Sequence, residues 1–540
     1  MKKAFKPLGI AAAVAAASAG QVQAQPTVAS NFLGDLALVP YYTVNDGWVT
    51  AIHIVNTSDS TQVVKFRFRR ATDSMDALDF NIVMSPQDVY AGFLSDNDGT
   101  ISWQADDTTC TVPETTDGLL TMPSIYRPDA ETGYVEIISM GQPVDEDEPI
   151  AEAAEHITVD GEFVPRSCEA VRSNFFADGS TSDPGVADYN TTFQRDLLDN
   201  DDDDSTSDIV ENAYVDSDNV LKVSYSITDV ASGIEFGDNA VHLEDFITVA
   251  TMTNQQFGYF SGDLNGFDFP DLNGPEPVSM VTAAERGVFE DLRSTDVLGV
   301  LALVNEWSSN PANQVATDWV VTLPGQYTMF KLLDYVASLD GSVAAGFPWF
   351  PTLENGSPTD NPECPRLNGP DEDGDPVTDP AEVCDWRDMP VELNFAAWNR
   401  EEFAGTAPDE DLTVSPAPPG EILTAFLPKE ANVITFGDTG GILDMEDTNV
   451  SANLGQPFGW LSVSVDSVDD NIGLCDWVGS EDNGAGFPSN TAGSNLTNVC
   501  SAFTDPGGVP VIGFAAWGRS IAANPDASYG RIIAHSAVVS

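Results

Sequence analysis

Short runs in which apolar and polar residues alternate, cut by Gly, Pro, Asn and Asp, recur along the whole chain. Residues 36–44, LALVPYYTV, lead through Asn45, Asp46 and Gly47 into WVTAIHIVN, and an Asp-Gly pair between two such runs predicts a β-hairpin. NTSDS turns the chain again into TQVVKFRFRR, where Val64, Phe66 and Phe68 point one way and Lys65, Arg67 and Arg69 the other. ALDFNIVM repeats the period, with Leu78, Phe80, Ile82 and Met84 against Asp79 and Asn81. Alternation over consecutive runs predicts a meander with one face in a core and the other in solvent.

Further strand-like runs follow at GYVEIIS, NVLKVSYSITDV, AVHLEDFITVATM, TDWVVTL, NVITFG, WLSVSV and VPVIGFAAW. Helical periodicity is short and weak, best at 324–339 and then 279–293. Between these elements lie acidic or Pro-rich excursions, GQPVDEDEPIAEAAEH, DLLDNDDDDSTSD, NGPDEDGDPVTDPAE and TAPDEDLTVSPAPPGE, which read as loops or insertions. The implied class is all-β: two β-sandwich units with long acidic loop insertions and one or two short helices. The expected units are 25–285, with insertions at about 141–218, and 286–540, with an insertion at about 351–420; their border falls near 275–295. Irregular strand spacing and long charged connections argue against a closed outer-membrane barrel.

The N-terminal run MKKAFKPLGIAAAVAAASAGQVQAQ has basic residues, a short apolar stretch and small residues at Val22 and Ala24, the pattern of a secretory signal peptide over residues 1–24. No stretch reaches the roughly 18 consecutive apolar residues of a transmembrane helix, so no transmembrane span is expected. Removing the signal takes away Lys2, Lys3 and Lys6 and no acid, so 18 basic residues face 86 acidic ones. The formal net charge of the full chain is already -65, with the acids spread along its length. Such a surface repels itself unless salt screens it, as it does where the Debye length shrinks to roughly 3 Å at 1 M. Adaptation to a saline habitat is the expected reason, and the same charge disfavours nucleic acid and an anionic membrane surface as partners. At 42% hydrophobic residues, a large core is still expected.

Six cysteines, Cys110, Cys168, Cys364, Cys384, Cys475 and Cys500, fit an oxidising compartment. Of the fifteen pairings that six cysteines allow, nearest-neighbour pairing is expected, because each bridge would close an acidic excursion with little core of its own. No C-x-x-C occurs, so neither a redox motif nor a structural zinc site is indicated.

Lys65, Arg67, Arg69 and Arg70 raise the question of an anion or surface-binding patch. The favoured reading is an outward cationic ladder paired with a neighbouring strand, Asp79 being the partner, each pair contributing under about 1 kcal/mol. Calcium is the inorganic candidate: Asp199, Asp201 and Asp203 alternate in one acidic run, and Asp371, Asp373 and Asp375 in another. Neither run is an EF-hand, since Asp204 and Pro376 stand where the turn glycine belongs. The bland alternative for both is a solvated acidic loop.

Asp438, Thr439 and Gly440 spell the D-T-G of aspartic proteases, but no second D-T-G or D-S-G supplies the other carboxylate. His53, His156, His242 and His535 are scattered, with no G-x-S-x-G and no H-E-x-x-H. No catalytic residue is singled out. Among ten tryptophans, Trp349 and Trp398 are candidates for a sugar-stacking platform, with core and loop-anchor roles as the default.

The combination VPYYTV, IHIVNTSDSTQVVKFRF, ALDFNIVMSPQDVYAG, VSYSITDVASG, TDWVVTLP and PVIGFAAWG resembles a group of large exported proteins of Gram-negative bacteria described as secreted or cell-surface proteins. The motifs lie between residues 39 and 518, as islands between insertions. The resemblance implies an extracytoplasmic location and a β-rich fold, and attaches no catalytic residues. The expected function is therefore non-enzymatic, in structure, adhesion or assembly, with the chain itself or a cell-surface component as partner. The alternative is an extracytoplasmic carbohydrate-binding module or hydrolase, with the periplasm as the other location.

Overall fold

In a computed structural model, residues 26–173 and 214–247 are described with few gaps, together with most of 296–325 and the segments 391–398, 423–427, 429–436, 441–443, 449–452, 457–465, 509–519 and 528–538. The described chain is dominated by antiparallel sheets. The first sheet runs Thr27–Val28, Val241–Glu244, Leu36–Thr43, Thr132–Pro143, Gln62–Arg70, Asp76–Met84 and Cys110–Val112, with Tyr214–Val215 added to Thr132–Pro143. The second runs Ile234–Asn239, Leu221–Asp229, Trp48–Asn56, Val89–Asp96, Ile101–Ala105 and Leu119–Thr121. One hydrophobic cluster draws on both, including Val64, Phe66, Phe68, Phe80 and Val135 from the first and Ile52, Tyr90, Trp103 and Val223 from the second. Alternation decides which side chains enter it: Phe66 stacks on Phe80 at 5.0 Å, and both meet Trp103.

Two further sheets come from the later residues. The third runs Leu423–Leu427, Val391–Trp398, Phe458–Val465, Ala302–Ser308 and Ser536–Val538. The fourth runs Asn449–Ala452, Ala431–Phe436, Val315–Thr322, Ile512–Arg519 and Tyr529–Ala534, its first pair being parallel. Among the described residues no strand before residue 245 pairs with one after 298. Side chains do cross: Val320, Val433 and Phe514 of the fourth sheet belong to the same cluster as the first two. The expected border at 285–286 lies outside the described residues.

Several expectations need correction. The Asp46-Gly47 turn does not close a hairpin, because Leu36–Thr43 and Trp48–Asn56 lie in different sheets. Leu36–Thr43 is buried at every position and takes Thr132–Pro143 and Val241–Glu244 as neighbours, so the turn carries the chain from one sheet to the next. The excursion 141–218 is not all loop. Pro149–Ala154 is a helix with Pro at its start and Ile150, Ala151, Ala153 and Ala154 buried, and Cys168–Ser173 is a second. Ile150, Ala153, Ala154 and Val171 of these helices share a cluster with Val63, Val83 and Met140. Within 351–420, Val391–Trp398 is an inner strand of the third sheet. Of the two expected helices, 326–339 and nearly all of 279–293 fall outside the described residues.

Candidate functional site

The cationic strand Gln62–Arg70 is the sharpest disagreement between sequence and structure. Lys65, Arg67 and Arg69 are 0% exposed and Arg70 is 9% exposed, so the expected surface patch is corrected to an interior one. The alternation itself holds. Lys65, Arg67 and Arg69 share a face with Asp79 of the next strand and with Tyr134, Glu136 and Ile138 of the other neighbour, in register Lys65↔Ile138, Arg67↔Glu136 and Arg69↔Tyr134. Arg70, one residue on, alternates to the other side.

Each charge on this face meets an opposite one. Lys65 Nζ lies 3.1 Å from Asp79 Oδ2, which makes Asp79 the partner of the lysine in particular. Arg69 donates twice to Glu136, Nε to Oε1 at 3.1 Å and Nη2 to Oε2 at 3.2 Å, and donates Nη1–H to Ser74 O at 2.9 Å. Arg67 Nη1 reaches the same carboxylate at 3.5 Å. Ser74 Oγ donates to Glu430 Oε2 and accepts from the Tyr134 hydroxyl at 2.8 Å. Burial, with the carboxylates of Glu136 and Glu430 nearby, holds the Tyr134 hydroxyl well above its ordinary range, so it stays a donor. Three cations, Lys65, Arg67 and Arg69, thus share a buried face with three carboxylates, Asp79, Glu136 and Glu430. Gly133 permits the close strand approach, because a Cβ there would collide with Arg69 O. Desolvated charges of this kind are tolerated only when paired and hydrogen-bonded. The arrangement is an internal clasp between early and late parts of the chain, completed where Glu430 N and Ala431 N donate to Ala71 O.

The histidines are brought together with other groups in ways their spacing hid. His242 donates Nδ1–H to Ala240 O and accepts the Val223 N–H at Nε2, both at 2.8 Å, and burial lowers its pKa to about 4. His535 donates Nε2–H to Val320 O at 2.9 Å and takes Asn305 Nδ2 at Nδ1 at 3.0 Å; loss of hydration lowers it to about 4 as well. Both are neutral links between strands. His53 is exposed on its strand.

His156 is different. Its Nδ1 is 3.0 Å from Ser85 Oγ and 3.9 Å from Asp88 Oδ2, and its Nε2 is 3.3 Å from Thr108 Oγ1. Burial raises the Asp88 pKa while the His156 ring opposes that shift. Serine and aspartate compete for one ring nitrogen here, whereas a triad needs them on opposite nitrogens. The contacts to Ser85, Asp88 and Thr108 fasten the hairpin His156–Val159/Glu162–Pro165 beside the first sheet, and Phe163 of the same hairpin stacks on the ring at 5.4 Å.

Cys110 and Cys168 are bridged as expected, tying the strand Cys110–Val112 to the helix Cys168–Ser173. Cys364, Cys384, Cys475 and Cys500 lie outside the described residues, as do Asp199, Asp201, Asp203, Asp371, Asp373, Asp375, Asp438, Thr439, Gly440 and Trp349. Among the described residues no three His, Cys, Asp or Glu side chains converge as a metal site. None of the described helices is long and apolar enough to cross a membrane.

Trp398 is joined by a partner that its sequence position did not announce. It stands directly across from Trp460 on the third sheet, the two rings stacked at 3.9 Å and 13° apart. Leu461 and Val463 of the same strand are buried, while Trp460 remains 40% exposed, which fixes the outward side of that strand. Glu306 is the register partner of Trp460 on the other flank, and its carboxylate is 3.8 Å from Arg531, whose guanidinium lies 4.9 Å from the Trp517 ring centre. The alternation in GWLSVSV was the available signal for Trp460; its pairing with Trp398 was not local. Searches with the chain match no family model, no curated protein and no solved structure.

Proposed function

We propose that the chain is a secreted or surface-associated, non-enzymatic protein of structure, adhesion or assembly, built as two β-sandwich units, the first and second sheets forming one and the third and fourth the other. The observation that carries the location is the Cys110–Cys168 bridge, which suits an oxidising compartment and agrees with the export pattern at the N-terminus. Lys65, Arg67, Arg69, Asp79 and Glu136, drawn into the first sheet's interior, are paired with one another, which favours a scaffold. The outward Trp398–Trp460 pair supplies a contact surface on rigid strands, as adhesion requires.

Deletion of the gene tests this. Attachment to surfaces or cell–cell aggregation falls while growth on soluble nutrients is unchanged. Unchanged attachment with a growth defect on a polysaccharide would instead favour the carbohydrate hydrolase reading.

A further inference from the structure

We propose that the outward face of the third sheet is a binding platform for a neutral polysaccharide, centred on Trp398 and Trp460. The inference rests on the reading of the chain as an exported adhesion protein only for where the ligand is met; binding itself is a property of the purified chain.

The platform has a rigid base. Trp460 is paired on both flanks, and Trp398, beyond the point where pairing with Leu423–Leu427 ends at Phe395, is held in register by its pairing with Trp460. A cross-strand aromatic pair stabilises a sheet by about 0.5–1.5 kcal/mol beyond its burial, and that alone would explain the stack. The surroundings go further. Ser462 and Ser464 follow Trp460 on the outward side of the same strand, Val304 and Glu306 lie opposite on the next, and Ser536 opposite Val304 beyond that. Successive outward positions are about 6.8 Å apart, so the strip is long enough for a few sugar rings. The strip carries Ser462, Ser464, Ser536 and Val304, with Glu306 and the tryptophan pair at one end.

Charge selects the ligand. Where salt does not screen it, the net charge of -65 repels polyanions such as acidic polysaccharides. Beside Trp460 the Glu306 carboxylate is offset by Arg531, leaving carboxylate and guanidinium available to hydroxyl groups with no net local charge to be matched. An uncharged hexose polymer fits: its C–H faces stack on the indole edges and outer faces, and its hydroxyls meet Ser462, Glu306 and Arg531. A lipid surface would need a broader apolar patch than these serines allow.

The test uses the purified full chain at high salt, with retention on cellulose and chitin and titration with a soluble neutral β-glucan followed by tryptophan fluorescence. The native chain binds at least one of these polymers, and Trp460→Ala and Trp398→Ala each weaken binding about tenfold. Ser462→Arg, which removes no aromatic ring, blocks the strip and gives a comparable loss, deciding the matter if a tryptophan variant fails to fold. Failure to bind any neutral polymer, binding unchanged in folded variants, or preference for an acidic polysaccharide overturns the proposal. So does self-association that is lost in Trp460→Ala without glycan binding, which would assign the face to contact between copies. Attachment of cells that persists without glycan binding leaves the adhesion reading standing and removes this one.

Discussion

Arg69 and Glu136 meet as a two-pronged pair in the interior of the first sheet, Nε to Oε1 at 3.1 Å and Nη2 to Oε2 at 3.2 Å, with both side chains out of contact with solvent. Water cannot replace a lost partner there. Glu136→Ala is expected to cost about 3–5 kcal/mol, because it strands Arg69 and takes from Arg67 the carboxylate it reaches, while Arg69→Ala costs less, since Arg67 still faces Glu136. Denaturant unfolding measures it; single-variant losses under about 1 kcal/mol would place the pair in solvent.

Arg67→Glu is expected to be worse than Arg69→Ala. Arg67 reaches Glu136 at 3.5 Å and stands in register with Asp79, so the substitution sets a new carboxylate against two buried ones. An outward ladder would have tolerated the change at little cost; a buried one does not. Circular dichroism and soluble yield decide between them, and a folded variant of near-native stability contradicts the buried arrangement.

The neutral histidines give stability a pH dependence. His242 has its pKa lowered from 6.5 to about 4 in the folded chain. Protonation below about 6.5 therefore favours the unfolded chain: the contribution is complete above pH 6.5 and is lost as pH falls towards 4. His535 acts in the same sense. Asp35 opposes them, since burial pushes its pKa up to about 7 and its protonated form is favoured in the folded chain. The comparison that isolates one group is the native chain against His242→Gln. Between pH 6.5 and 4 the native chain loses up to about 3 kcal/mol more than the variant; parallel profiles would show that His242 is not held neutral.

The Cys110–Cys168 bridge closes a loop across 58 residues and joins the helical cluster to the edge of the first sheet. Cys110→Ser with Cys168→Ser is expected to cost about 2–5 kcal/mol. Hydrogen exchange should rise first in Pro149–Ala154 and Cys168–Ser173, the elements that cluster holds. Faster exchange spread evenly over the first sheet would contradict a local clasp.

Period-two alternation was sufficient to place Phe66 and Phe68 on one side of their strand and Lys65, Arg67 and Arg69 on the other, and to name Asp79 as a partner. It was silent on whether the second side would be covered. Glu430 comes from the far half of the chain, and the Glu136 that receives two arginines sits inside the apolar run GYVEIIS. A lone carboxylate in that run was the legible trace of a buried cation. The Asp46-Gly47 turn misled because turn chemistry specifies a reversal and not which sheet the next strand joins. Pro149–Ala154 was hidden by the acids before it, although Ile150 and the three alanines after it carry the helix's buried side. Trp398 was visible as an aromatic in FAAWNR, but its strand was not recognised; Trp460, brought opposite it by sheet pairing, completes the candidate site.

The proposed surface role depends on location, which is measured by fractionating native cells and shaving intact cells with protease, with peptides quantified by mass spectrometry. Peptides of this chain are expected to be released from intact cells or recovered from the medium. A chain that stays protected until the outer membrane is opened would contradict the surface role and point to a soluble periplasmic ligand.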